Sequence, residues 1–263
     1  MKITKKGIIS SKDNKRLKLV RSVRDGREPA FLFIEGVRLA HEAVRSDITI
    51  ESAFFSEGSD LDDLANDIAT EIFTVTSKVF ESIIDTKNSQ GIVAIARRPV
   101  HLLEDLDSVT ESGIFVYLKD VNNPSNLGAV IRSAEAAGVK AILTSTGSAD
   151  AFSPKAIRAS MGSVFRLPIV KGIDFKRVVE WAKSNGVETL AADIDAESDH
   201  TEINWQGKKL IIFGSEAFGL TKDEIEAVDR TIFVSMENGV ESLNLAVSAG
   251  IILFEAKRQR NKN

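Results

Sequence analysis

The stretch Asn122–Val139, NNPSNLGAVIRSAEAAGV, decides how the chain is read. Asn122, Asn123 and Pro124 are turn formers, and Gly128-Ala129-Val130-Ile131 with the Ala-rich text after them reads as a helix. Leu118 and Val121 end an apolar run just before it, so the segment is a strand–loop–helix corner. Corners of that kind are where α/β proteins build sites, at the carboxyl ends of strands. The opening turns of this helix carry a single arginine, Arg132.

Working outward, the text from residue 113 reads GIFVYLKDV, KAILTS, RLPIV, ETLAADI, KKLIIFGSE and RTIFVSM, with helical text between most of these runs. Near-continuous apolar strands alternating with helices predict an α/β fold with a mostly parallel sheet covered on both faces. Before residue 99, the helical IEGVRLAHEAVRS alternates with the strand-like ITIESAFFS, EIFTVT and GIVAIARR, which predicts a smaller α/β domain over residues 1–98. Pro99 stops the last of these strands, so residues 99–110 read as a linker and 111–263 as the larger domain.

Composition narrows the function classes. The chain has 263 residues, 43% of them hydrophobic, enough for real cores. It has no run of about 18 apolar residues to cross a bilayer, and MKITKKGIISSKDNK lacks the apolar stretch of a signal peptide, so a cytoplasmic protein is expected. Cysteine is absent, which removes disulfides and thiolate chemistry, and with only His41, His101 and His200 neither a metal site nor histidine-centred catalysis is expected. The net charge of −4 hides an asymmetry: residues 1–28 hold ten Lys/Arg against three Asp/Glu, about +7, leaving about −11 on the rest. Lys15, Lys18 and Arg21 recur every three residues, as do Leu17, Val20 and Val23, giving a short helix with a basic and an apolar face. That basic face suits RNA phosphates; the plainer reading is a solvated helix packed on its own domain.

Three loops follow strands at positions suited to a site: the opening stretch with Asn126, then FGSEAFGL over residues 213–220, then VSMENGVESLNLAVSAG over 234–250. Gly214 and Gly219 have P-loop spacing, but Leu220 stands where the lysine must be, and no G-x-G-x-x-G dinucleotide fingerprint occurs. What remains in the second loop is a glycine-permitted turn with open backbone amides and one carboxylate, Glu216. In the third, Ser242 and Asn244 sit at the mouth of an apolar helix, where both residue types serve as caps.

Together, NPSNLGAVIRSAEAAGV, IIFGSEAFGL and VESLNLAVSAGIILFE resemble, in order and spacing, the three motifs of the SpoU/TrmH family of RNA 2′-O-ribose methyltransferases, covering most of residues 114–257. SPKAIRASMGSVFRLPIV between the first two also looks like the family, and KRLKLVRSVRDGREPAFLFIEGVRLAHEAV resembles its L30e-like RNA-binding domain. The resemblance implies a SPOUT fold with a deep trefoil knot, S-adenosyl-L-methionine as cofactor, and a homodimer with catalytic pockets at the subunit interface. Carried over residue by residue, the catalytic set is Asn126, Arg132, Glu216, Ser242 and Asn244, the cofactor contacts are Gly214, Val234, Leu243 and Thr144, and RNA contacts fall to Lys15, Lys18 and Arg21. Arg132 is either the general base or a bidentate phosphate clamp. The expected substrate is ribosomal RNA, 23S above all, because of the L30e-like domain; a tRNA substrate and a non-catalytic assembly factor of the same fold are the alternatives.

Two departures from the family pattern stand out. Val234-Ser235-Met236 replaces the usual Ile-Pro-Met, and Ala217-Phe218 follows Glu216 where glycine is usual, with Phe218 either narrowing the pocket mouth or, as the preferred reading, packing against the knot. DIDAESDH, residues 193–200, is read as a solvated loop and not a cation site, His41 as a surface or packing residue, and Trp181 and Trp205 as packing residues.

Overall fold

The computed structural model describes residues 4–59, 71–108 and 112–261. The chain divides into two compact units, one comprising Met1–Pro99 with Phe152–Phe165, the other Val100–Ala151 with Arg166–Asn263.

In the first unit, five strands, β1 (Thr4–Ile9), β2 (Phe31–Glu35), β3 (Ile50–Ser56), β4 (Glu71–Val75) and β5 (Ile92–Arg97), form a mixed sheet in the order β1-β4-β3-β5-β2. The pairs β1–β4 and β3–β4 are parallel, while β3–β5 and β2–β5 are antiparallel. Helix α1 (Lys15–Arg24) starts where the Asn14 side chain accepts the Arg16 N–H at 2.9 Å, and it buries the Leu17, Val20 and Val23 stripe that the sequence spacing predicts. That stripe joins Phe33, Phe54, Phe73 and Ile95 in one core cluster, in which the Phe54 and Phe73 rings stack at 5.3 Å. Helices α2 (Val37–Arg45) and α3 (Ser77–Phe80) follow. The segment Phe152–Phe165 lies within the expected larger domain, residues 111–263, yet it packs with this unit. Arg158 on helix α5 (Pro154–Ser160) pairs with Asp85 at 2.6 Å, and Arg98 lies over the Phe152 ring at 4.4 Å.

In the second unit, seven strands pair in parallel throughout, in the order β10-β12-β9-β11-β6-β7-β8. They are β6 (Gly113–Leu118), β7 (Ala141–Thr144), β8 (Ile169–Lys171), β9 (Glu188–Ala192), β10 (Ser198–Asp199), β11 (Lys208–Phe213) and β12 (Arg230–Phe233). Every residue of β6 is buried, as expected of a central parallel strand with both faces covered. The helices are α4 (Pro124–Ala137), α6 (Phe175–Ser184), α7 (Lys222–Glu226) and α8 (Leu245–Arg260). Tyr117, Leu143, Trp181, Leu210 and Ile212 share the main core cluster, and both tryptophans are core residues: Trp181 donates to Asp107 at 2.8 Å and Trp205 to the His200 carbonyl at 3.0 Å.

Part of the expected linker is folded. Leu103–Ser108 form a 3-10 helix whose Leu103 and Leu106 are buried in that same cluster, because two leucines three residues apart share one side of such a turn. Residues 109–111, where the expected linker meets the larger domain, lie outside the described residues.

Candidate functional site

Helix α4 begins as its sequence dictates. The Asn123 side chain accepts the Ser125 N–H at 2.9 Å, Pro124 takes the first helical position where no donor is missed, and Gly138 closes the helix in the left-handed region. This fixes Asn126 in the first turn, facing two other loops. The Asn126 amide nitrogen donates to the Glu216 carboxylate, and its oxygen accepts from the Asn244 amide at 3.2 Å. Asn244 has a second task, since its own oxygen accepts the Ala246 N–H at 2.9 Å and so caps α8. The cap reading and the site reading of Asn244 are therefore both satisfied by one side chain. A relay Glu216–Asn126–Asn244 ties the loops after β6, β11 and β12 together.

The loop after β11 is a tight hairpin tip. Ser215 N donates to the Gly219 carbonyl at 3.1 Å and Gly219 N returns a bond to Ser215 at 2.9 Å. Gly214 has to be glycine: a Cβ there would lie 2.6 Å from the Gly219 carbonyl oxygen and 2.7 Å from Leu220 N. Phe218 at this tip is 90% exposed and lines the cavity described next, so the preferred packing reading gives way to the alternative, a side chain at the pocket mouth; its small sequence neighbours Ser215, Ala217 and Gly219 offer it nothing to pack on.

Beneath the relay lies a cavity of about 810 Å³. Its apolar wall comes from Phe213, Ile232, Phe233 and Ile252, and the expected Gly214, Val234, Leu243, Ser242, Glu216, Asn126 and Asn244 all line it. Thr144 does not. It is buried at the end of β7, with its carbonyl taken by the Ile173 N–H at 3.0 Å, and the sheet order puts β6 between β7 and β11. Asp193, Ile194 and Asp195, in the loop read as merely solvated, also line the cavity, since β9 lies beside β11 and β12. Only strand order could have found them. Among the described residues no cluster of His, Cys, Asp and Glu suits a metal ion.

The cavity fits S-adenosylmethionine on two counts. Its volume lies in the range of about 300–1,000 Å³ common to small-ligand pockets. Four carboxylates on its lining, Asp193, Asp195, Glu216 and Glu241, oppose the positive sulfonium and ammonium groups of that molecule.

Arg132 stands apart from the relay. It is exposed on α4, about 9 Å along the axis from Asn126, and makes no hydrogen bond or ion pair among the described residues. Helix α8 packs its Ala249, Ile252, Leu253 and Ala256 inward while Val247, Ile251 and Phe254 form an exposed apolar stripe, 50%, 37% and 48% exposed.

On the first unit, Lys15 and Lys18 are exposed on α1, Lys18 within 3.3 Å of the exposed Asp13. Arg21 is half-buried, and its guanidinium donates to the Lys12 carbonyl at 2.7 Å and to Ser82 at 3.3 Å, tying the helix to its own unit. His41 is exposed on α2, and His200 is buried with its Nδ1 3.2 Å from the Asp199 carboxylate. No helix of the described residues is long and apolar enough to cross a membrane.

Comparison with known proteins agrees with this geometry. Residues 113–254 match the SpoU rRNA Methylase family, and residues 33–101 match the RNA 2′-O ribose methyltransferase substrate binding domain. The chain is 28% identical over 226 residues to the 23S rRNA (guanosine(2553)-2′-O)-methyltransferase RlmP of Bacillus subtilis, covering 85% of this chain and 87% of that one. It is 31% identical over 182 residues to the 23S rRNA (guanosine-2′-O-)-methyltransferase RlmB of Coxiella burnetii, covering 67% and 73%. The structure of an AdoMet-bound rRNA methyltransferase from Sinorhizobium meliloti superposes with a TM-score of 0.86 at 27% identity, covering 97% of this chain and 98% of that one. Since the family match spans more than half of the chain and the likeness to the solved structure runs through both units, the chain belongs to the SpoU rRNA methylase family and its larger unit has the SPOUT fold.

Proposed function

We infer that this protein is an S-adenosylmethionine-dependent RNA 2′-O-ribose methyltransferase acting on 23S ribosomal RNA in the cytoplasm. The observation that carries the reading is the relay Glu216–Asn126–Asn244 over a cavity of the right size and charge for the cofactor. Gly214, Val234 and Leu243 would hold the cofactor from the loops after β11 and β12. When bound, S-adenosylmethionine supplies a methyl group activated by its sulfonium. The chain's own residues have then to place a ribose hydroxyl in line with that methyl and remove its proton. Asn126 holds one Glu216 oxygen, leaving the other to accept the hydroxyl proton, and Ser242 at the cavity mouth offers a further hydroxyl for orientation.

Arg132 is the phosphate clamp in this scheme, its fork free for a bidentate contact. Its distance from the relay supports a homodimer in which one copy's Arg132 serves its partner's cavity. The apolar stripe Val247, Ile251 and Phe254 supports the same reading, since it gives the first part of α8 a second apolar side opposite the one already packed inward, and an exposed contiguous apolar patch marks a contact surface. The knotted path expected of the C-terminal chain accords with β9, β11 and β12 lying side by side and sending their loops to one cavity.

The test is transfer of tritiated methyl from S-adenosylmethionine to ribosomal RNA taken from cells lacking the protein and from normal cells, with the protein's mass in solution measured alongside. Label should enter only the deficient RNA, as one 2′-O-methyl, from a dimer. Arg132→Ala should cut transfer by about 10²-fold or more, the scale of losing a charge-stabilising contact, with cofactor affinity kept. Cofactor binding without transfer to rRNA or tRNA would leave an RNA-binding scaffold instead, and an active monomer would refute the shared site.

A further inference from the structure

The motif tip holds a residue that the relay and the cavity do not use. Phe218 is 90% exposed, the highest value among the exposed large hydrophobic side chains of the described residues, although the turn that carries it is pinned by two backbone hydrogen bonds and by the Asn126–Glu216 contact. A phenyl ring held in water on a fixed turn keeps an apolar face available, and covering that face is favourable. Its sequence neighbours Ser215, Ala217 and Gly219 add no apolar area larger than a methyl group; the cavity lining holds one other exposed large hydrophobic side chain among the described residues, the aliphatic Ile194, 62% exposed. What sets Phe218 apart from the aliphatic side chains of that lining is its planar π face, which suits a planar ligand that can stack on it. The ring also borders the cavity at its rim, since a side chain this exposed cannot be an inner wall for the cofactor.

We propose that Phe218 is the stacking platform for the nucleobase of the nucleotide being methylated, and that its flat face favours a purine there. The proposal rests on the RNA-methyltransferase reading of the neighbouring relay. Phe218 is two residues from Glu216, so their Cα atoms are no more than about 7 Å apart. A ribose whose 2′-hydroxyl reaches Glu216 carries its base on the adjacent ring carbon, which brings the base edge into reach of the phenyl face. RNA enzymes that act on one nucleotide take it out of its stack, and an aromatic side chain replaces the lost stacking partner. A purine presents the larger face and gains more from the exchange. The guanosine substrates in the names of the RlmP and RlmB relatives are purine nucleosides.

The experiment uses the full-length protein and its variants Phe218→Ala, Phe218→Leu and Phe218→Tyr. Steady-state methyl transfer to 23S rRNA from deficient cells, cofactor affinity by calorimetry and solution mass are measured for each. Phe218→Ala should raise KM for RNA by about 5- to 150-fold, the span of base–aromatic stacking, with cofactor affinity and mass unchanged. Phe218→Tyr should restore the wild-type value; Phe218→Leu, which keeps apolar bulk without a π face, should not. Equal rescue by Leu, weakened cofactor binding in Phe218→Ala, or loss of the dimer would each overturn the proposal, in favour of packing, an adenine contact or a subunit contact respectively.

A second measurement separates this idea from the reading beneath it. Quenching of a 2-aminopurine-containing single-stranded RNA oligomer by the cofactor-loaded protein needs no turnover. Quenching lost in Phe218→Ala and kept in Phe218→Tyr upholds the platform even if the protein methylates no RNA offered; quenching unchanged in Phe218→Ala sinks it even if the enzyme is fully active.

Discussion

Asn244 joins a stability role to a site role, and two substitutions pull these apart. Its side-chain oxygen caps α8 through the Ala246 N–H at 2.9 Å, and its nitrogen donates to Asn126 at 3.2 Å. Asn244→Asp keeps the capping oxygen, adds a negative charge at a helix N-terminus where it is favourable, and removes the donor. Asn244→Ala removes both. Loss of the cap costs about 1 kcal/mol, which lowers Tm by about 2–4 °C in a chain of this size; the Asp variant should stay within about 1 °C of wild type. The rates should rank the other way. An exposed amide–amide hydrogen bond contributes about 1 kcal/mol, so Asn244→Ala should reduce kcat/KM about fivefold. In Asn244→Asp a second carboxylate joins Glu216 around the single Asn126 amide, and one of the two must then face the amide oxygen. That like-charge penalty adds about 1 kcal/mol more after solvent screening, for a loss of about 30-fold in all. Differential scanning calorimetry and steady-state methyl transfer read the two quantities separately. An Asp variant as fast as wild type would refute the relay, and one as unstable as the Ala variant would refute the cap.

Two further outcomes follow from side chains elsewhere. Neutralising Lys15 and Lys18 should flatten the dependence of log RNA affinity on log salt by about 0.7–0.9 per residue, whereas Arg21→Ala, losing its bonds to Lys12 and Ser82, should lower Tm and leave the slope unchanged. The Arg258 guanidinium holds the Glu255 carboxyl well below its ordinary value of 4.5, at about 2, with Gln259 as a second donor. A depressed carboxylate stabilises the fold above its unfolded value and loses that contribution as pH falls towards the folded one. Wild type should therefore lose stability between about pH 4.5 and pH 2 relative to Glu255→Gln, whose thermal unfolding should be flatter across that window.

The elements of this protein were legible where local chemistry decides. The Asn123–Pro124 start of α4, the three-residue stripe of α1 and the unbroken apolar β6 each follow from one stretch of chain. What escaped depends on which strands become neighbours. Asp193–Asp195 line the cavity, and Thr144 does not, because β9 lies beside β11 whereas β7 lies beyond β6. Linear spacing carries no such information. Side-chain direction was equally out of reach: Arg21 has the spacing of a phosphate contact but binds its own unit, and Phe218 has the composition of a core residue but projects into water. Asn126, Glu216 and Asn244, far apart in the chain, do meet in the structure, because the fold brings three distant segments to one point.

Those distances along the chain set the order in which the molecule can be completed. The relay closes over 90 residues between Asn126 and Glu216 and over 118 between Asn126 and Asn244. Contacts of such separation form late, since closing a long loop must precede any return from the contacts it brings. The residue that caps α8 is also the last relay member to be synthesised, so a nascent chain ending before residue 244 holds all the strands of the parallel sheet and lacks the finished site. Cofactor capture is thus a natural signal that the final helix has docked, and in a refolding time course it should trail the recovery of sheet structure.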